Sequence, residues 1–204
     1  MDGFSLESVR YGLAVILVTI LPVVCAFWFV IHGAIGFWKT KPSWMAYWAA
    51  LLVIGATLAA VLSNLSPLIG ADLGTRPGLM MLGSLIYFTS WALSRSIRKH
   101  LNFRTFAGIP EVKNETTNLI IDGPFSVVRH PRYFMILVGV LGWSLAANYS
   151  GGYLMSLAFI AALMLIVRFE EKELIARFGD QYRHYKTTVP ALLPAPNKLG
   201  KLFV

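Results

Sequence analysis

Two clusters of charged residues stand at the ends of apolar runs and have side chains able to do chemistry together. The first is in GPFSVVRHPRYF (123–134), where Arg129, His130, Arg132 and Tyr133 surround Pro131; the second is RFEE, with Arg168, Glu170 and Glu171. Pro131 disfavours helix for the residue before it and suits the first turn of the helix that follows. Arg129 and His130 are therefore expected in an extended segment facing a helix N-terminus. Such an end presents free N–H groups and partial positive charge, and two arginines beside it make an anion site physically reasonable. An arginine-tyrosine belt at a membrane interface would by itself account for Arg129, Arg132 and Tyr133. The acids shift the balance, because two adjacent carboxylates at the end of an apolar segment are costly unless solvated or paired. A ligand bearing both an ammonium and a carboxylate would use both signs of charge.

The elements that must hold these clusters are set by composition. Of 204 residues, 56% are hydrophobic and 14% charged, and the mean hydropathy is +0.63, too apolar for an ordinary soluble domain. Residues 12–38 and 44–68 contain no Lys, Arg, Asp or Glu, and each exceeds the roughly 20 residues needed to cross about 30 Å of hydrocarbon. A third run, 78–93, ends at Arg95, Arg98 and Lys99, and two shorter ones, 133–148 and 153–167, are split by Tyr149-Ser-Gly-Gly152. The expected fold is an all-α integral membrane protein with about five transmembrane helices, the fourth and fifth a short helical hairpin, followed by a cytosolic amphipathic helix. That last helix, into which the fifth span is expected to run straight on, is read from Glu171, Leu174, Phe178, Tyr182 and Tyr185, which recur at three- and four-residue intervals. Gly179 is expected to bend it, Glu173 and Arg177 to form an exposed pair, and the tail to lie on the interface through Leu199, Leu202 and Phe203.

With the N-terminus outside, 16 of the 18 Lys and Arg residues fall on one side, leaving Arg10 and Arg76 opposite; the basic side is expected to be the cytosol. The first run reads as a retained span rather than a cleaved leader. The net charge of +8 fits topology and anionic lipid better than nucleic acid, for which no recognition motif is present. Cys25, the single cysteine, reads as packing. His32 reads as an interfacial or satisfied histidine, and Gly55, Ser63, Gly83 and Ser84 as points of close helix approach. Residues 1–97 are read as a scaffold of three spans. Residues 98–204 are read as the catalytic half of one domain, with a polar loop whose turns fall at Gly108-Ile-Pro110 and Asp122-Gly-Pro124 around an extended stretch, 117–122. No metal-ligand spacing and no phosphate-binding glycine loop is present.

GPFSVVRHPRYF, followed after the hairpin by RFEEKELIARFGDQYRHYKTTVPALLP, resembles the C-terminal half of the isoprenylcysteine carboxyl methyltransferase and phospholipid methyltransferase superfamily of small membrane enzymes. The likeness covers roughly residues 100–194. It implies S-adenosylmethionine as cosubstrate in a cytosol-facing pocket, with a lipid or small lipophilic acceptor arriving from the bilayer. The membrane would be the inner membrane in a prokaryote and the endoplasmic reticulum in a eukaryote. Carried onto this chain, the resemblance gives His130, Pro131 and Tyr133 as the pocket's shape, Glu170 or Glu171 as partner of the cofactor's amino group, and Arg129 or Arg168 as partner of its carboxylate or of the acceptor. Other family members carry that basic residue at the position of Ile166. Arg168, Glu171 and His130 form the implied catalytic set.

A carboxylate acceptor needs no general base, whereas an amine or thiol must lose a proton, for which His130, Glu171 and Tyr133 are candidates. Two other readings stand beside this one. An NADPH-dependent reductase of the sterol-reductase type would use Arg95, Arg98, Lys99 and Arg104 for the nucleotide phosphates. A transporter or scaffold would need none of these groups at matched depth, and the spans lack mid-membrane acids and inverted repeats.

Overall fold

The computed structural model of the chain describes residues 5–100 and 118–203. Arg104, the turn at Gly108-Ile-Pro110 and the first residue of the stretch 117–122 lie outside them.

Among the described residues the architecture is all helical, as the apolar periodicity requires. Ser5 caps α1 (Leu6–Gly33), its hydroxyl accepting the Ser8 N–H at 3.1 Å, so one of the orphan donors of the helix start is satisfied. A single turn, α2 (Ile35–Trp38), leads into α3 (Ser43–Ser63), and α4 (Leu65–Ile69) precedes α5 (Pro77–His100). After a 3-10 turn at Gly123–Ser126 come α6 (Pro131–Ala147), α7 (Ser150–Phe178) and α8 (Asp180–Thr188), with a 3-10 tail at Pro196–Phe203. Helices α1, α3 and α7 are long and apolar enough to cross a membrane; α6 is a shorter apolar helix.

Helix α1 is the centre of the bundle, packed against α3, α6 and α7, while α5 lies along α6. Leu17, Leu21 and Trp28 of α1 meet Tyr133 and Val140 of α6 and Phe159, Leu163, Ile166 and Val167 of α7 in the main core, with Cys25 packed at its edge. In lipid, apolar association gains little from expelling water, so close packing and interhelical hydrogen bonds must specify the contacts. Both occur. A Cβ on Gly142 would stand 2.6 Å from the Gly83 carbonyl oxygen and 2.6 Å from the Tyr87 amide nitrogen, so the α5 and α6 backbones touch there. Ser144 and Ser156 share a 2.7 Å hydrogen bond between α6 and α7, and the Ser90 hydroxyl donates to the Met135 carbonyl at 2.9 Å between α5 and α6. Large apolar side chains such as Trp44, Trp48, Leu52, Leu85, Phe88 and Leu157 point outward, the surface a bilayer would cover.

At the end of the bundle holding the α6–α7 turn, Arg10 is 1% exposed. Its guanidinium donates to the Ala147 carbonyl at 3.1 Å, the Asn148 carbonyl at 3.3 Å, Thr75 Oγ1 at 2.7 Å and both carboxylate oxygens of Asp72. The Tyr149 ring lies 5.2 Å away. Asn148 turns the chain between α6 and α7 in the left-handed conformation at φ 53°.

As expected of a fifth apolar run that continues into the amphipathic helix, the helix that opens at Ser150 runs for 29 residues to Phe178, and Gly179 breaks it at φ 56° before α8 begins. Two expectations are corrected. Glu173 is buried and pairs with Lys39 at 3.2 Å rather than with Arg177 on the surface; burial of an acid requires such a partner. Leu202 is 1% exposed and packs with Leu93, Val127 and Val128, so it ties the tail to the bundle instead of joining the exposed Leu199 and Phe203 on the interface.

Candidate functional site

Pro131 is the first residue of α6, with His130 at the cap position outside the helix, at φ −121° and ψ 63°, rather than in the extended geometry expected of it. Residues 129 and 130 cannot make helical bonds there, and the tail supplies replacements: the Arg129 N–H donates to the Pro190 carbonyl at 2.8 Å and the His130 N–H to that of Ala191 at 3.0 Å. The segment is thereby held to the tail, and the Arg129 side chain reaches Glu171 of α7, so the two charged clusters meet.

The meeting separates the adjacent acids. Glu171 Oε1 accepts from Arg129 Nε at 2.9 Å and Nη2 at 2.5 Å, while Oε2 lies 2.7 Å from Lys186 Nζ. Arg129 also donates to the carbonyls of Lys186 and Val189. That arginine and that acid are therefore consumed in tying the start of α6 to α7 and to the end of α8. Glu170, about 100° further round the helix, faces the other way. Its Oε2 accepts no hydrogen bond and stands 3.6 Å from His130 Nδ1, and its Oε1 is 3.7 Å from Arg132 Nη2. His130 Nε2 lies 3.4 Å from Glu171 without a hydrogen bond's alignment.

Glu170, Arg132, His130 and Tyr133 line a hollow of about 110 Å³ that opens to solvent, roofed by Phe125, Phe178, Tyr182 and Tyr185. Arg132 lies 4.3 Å over the Trp28 ring and 4.8 Å over Tyr133, and donates to the Tyr133 hydroxyl at 3.1 Å. The His130 and Tyr133 rings stack at 5.7 Å. Burial pushes the Tyr182 and Tyr185 hydroxyls well above the usual phenol range, so both stay neutral; that of Tyr185 donates to the Phe125 carbonyl at 2.5 Å and closes the roof. The arrangement offers an acid, a base, a cation and aromatic faces around one space, as an amphoteric, partly aromatic ligand requires.

Of the residues singled out from the sequence, His130, Pro131, Tyr133, Glu170 and Arg129 border this hollow. Arg168 is exposed and, with Glu171, Lys172, Ile175 and Lys186, flanks a separate shallow depression. Ile166 is fully buried in the main core. Two wall residues came from the half read as scaffold: Trp28 and His32 of α1. His32 is 4% exposed, and neither ring nitrogen has a hydrogen-bond partner, which corrects its reading as a satisfied histidine. Its signal in the sequence was the i, i+4 spacing from Trp28, which puts both rings on one helix face.

The sequence profile of the phospholipid methyltransferase family matches residues 79–181, half of the chain, and the protein belongs to that family. Methanethiol S-methyltransferase 2 of Bradyrhizobium diazoefficiens is 37% identical over 70 residues, 34% of this chain and 26% of that protein. Protein-S-isoprenylcysteine O-methyltransferase of Schizosaccharomyces pombe is 32% identical over 83 residues, 40% of this chain and 35% of that protein. The Delta(14)-sterol reductase TM7SF2 of Mus musculus is 27% identical over 115 residues, 55% of this chain and 28% of that protein. The matched segments thus span between a quarter and about a third of these relatives' lengths. No solved structure matches the chain.

Proposed function

We propose that this protein transfers a methyl group from S-adenosylmethionine to a small or lipophilic acceptor at the cytosolic face of a membrane. The observation that carries the reading is the convergence of Glu170, Arg132 and His130, from two distant segments, on one aromatic-walled hollow. Glu170 Oε2, lacking a hydrogen bond, suits the cosubstrate's ammonium. Arg132 suits its carboxylate. The Trp28 and Tyr133 rings suit a sulfonium, since aromatic faces attract cations. Arg129 and Glu171 act behind them by fixing the position of His130. S-adenosylmethionine brings an activated methyl group, so the protein's part is to align the reactants and exclude water, for which a sparse site suffices. Membership of a methyltransferase family and the names of two of the three relatives support this reading.

The likeness to a sterol reductase favours one rival, a nicotinamide nucleotide in the same hollow. Calorimetric titration of detergent-purified protein separates them. S-adenosylhomocysteine is expected to bind, NADPH is expected not to displace it, and Glu170→Gln is expected to weaken binding at least tenfold with the melting temperature unchanged. Binding of NADPH alone, or full S-adenosylhomocysteine affinity in Glu170→Gln, would overturn the assignment.

A further inference from the structure

His32 stacks on Trp28 with ring centroids 4.8 Å apart and planes inclined by 16°. Trp28 in turn carries the Arg132 guanidinium and meets the Tyr133 ring edge-on at 6.2 Å. The imidazole is thus held in a fixed plane on the wall of the hollow, buried, with both nitrogens unanswered. Buried polar atoms are normally paired, and leaving one bare is unfavourable. A side chain oriented on every side except at its own polar atoms is arranged for a partner that comes and goes.

We propose that His32 receives the proton of the methyl acceptor, and that this acceptor is a protic nucleophile, a thiol or amine, rather than a carboxylate. The inference rests on the methyl-transfer reading above. A neutral imidazole offers one donor and one acceptor nitrogen, which matches an S–H or N–H group. It offers no charge to hold a carboxylate. The groups in electrostatic range are Glu170, Arg132 and His130, so an imidazolium formed there has a carboxylate to face. His32 also lies in the last turn of α1, where the carbonyl end of the helix favours a cation. In the step itself the acceptor's lone pair bonds the methyl carbon as the bond from that carbon to the sulfonium sulfur breaks. The breaking pair stays on the departing sulfide, and the acceptor's proton passes to the free imidazole nitrogen and out through the mouth.

The test uses purified full-length protein, labelled S-adenosylmethionine and three probes of equal chain length: octanethiol, octylamine and octanoate. His32→Gln keeps hydrogen-bonding atoms and removes basicity; S-adenosylhomocysteine binding within threefold of wild type shows that it folds and loads. Wild type is expected to methylate octanethiol or octylamine with a rate that rises with pH through an ionisation. His32→Gln is expected to lose that limb and to fall about 100-fold or more in kcat/KM. A second measurement needs no turnover: carbethoxylation of His32, located by peptide mass and expressed relative to that of the exposed His184 in the same sample so that reagent consumed by the probe cancels, is expected to slow several-fold with octanethiol or octylamine and not with octanoate. Methylation of octanoate alone, turnover by His32→Gln within threefold of wild type, loss of S-adenosylhomocysteine binding in that variant, or unchanged labelling of His32 each overturns the proposal. Wild type that binds no S-adenosylhomocysteine defeats the methyl-transfer reading itself, a distinct result.

Discussion

Each end of the bundle buries an arginine beside a carboxylate, and the two ends are finished differently. Around Arg10 every guanidinium nitrogen has an acceptor, drawn from the α6–α7 turn, Thr75 and Asp72. Around His130 the equivalent completeness stops at Arg129 and Glu171; beyond them His32, His130 and Glu170 keep polar atoms without hydrogen bonds. Buried polar groups left bare lower stability, so a fold retains them only where something else is gained. The closed cluster is a fastening, and the open one is the end at which a ligand completes the structure.

The largest effect expected from breaking this contrast is at the closed end. Arg10→Met leaves the buried Ala147 and Asn148 carbonyls without their donor and should lower stability by about 3 kcal/mol, read by thermal or denaturant unfolding in detergent. S-adenosylhomocysteine affinity per folded molecule should be unchanged; an affinity loss without a stability loss would invert the assignment of the two ends. Next, Gly142→Ala lies between the ends, where the α5 and α6 backbones touch. It should cost about 2 kcal/mol through overpacking and weaken both ends together, seen as a lower melting temperature with poorer ligand binding. The smallest effect is the pH response of the closed end. Hydrogen bonds from the Arg10 guanidinium and the Gly74 amide hold the Asp72 carboxyl below the usual range. Its stabilisation is then fully present above the unfolded value of about 3.9 and lost as pH falls through the lower folded value. Melting temperatures of wild type and Asp72→Asn should differ at pH 6 and begin to converge only as pH falls below about 4.

The helix start at Pro131 was legible because proline constrains its neighbours locally, and the all-α architecture was legible because the spans are long and apolar. The meeting of Arg129 and His130 with Glu170 and Glu171 was legible because both segments abut spans at the same end of the bundle. What separates Glu170 from Glu171 was not legible, since adjacent helical residues differ only in azimuth and the neighbouring elements decide which azimuth is the hollow. The same holds for Glu173, which its spacing from Arg177 assigned to a surface pair and its contact with Lys39 buries. Arg132 was noted as a cation but left out of the expected site residues, because a belt arginine and a pocket arginine look alike until Trp28 is placed beneath one of them.

The backbone amides of Arg129 and His130 end on carbonyls of Pro190 and Ala191, about sixty positions downstream, in a stretch whose amides do not touch the acid pair. The imidazole's seat is therefore on loan from a strap that wraps the outside of the molecule. Whatever loosens that strap, whether a graft, a nick or a neighbouring protein gripping it, would silence the pocket without altering a single atom inside it.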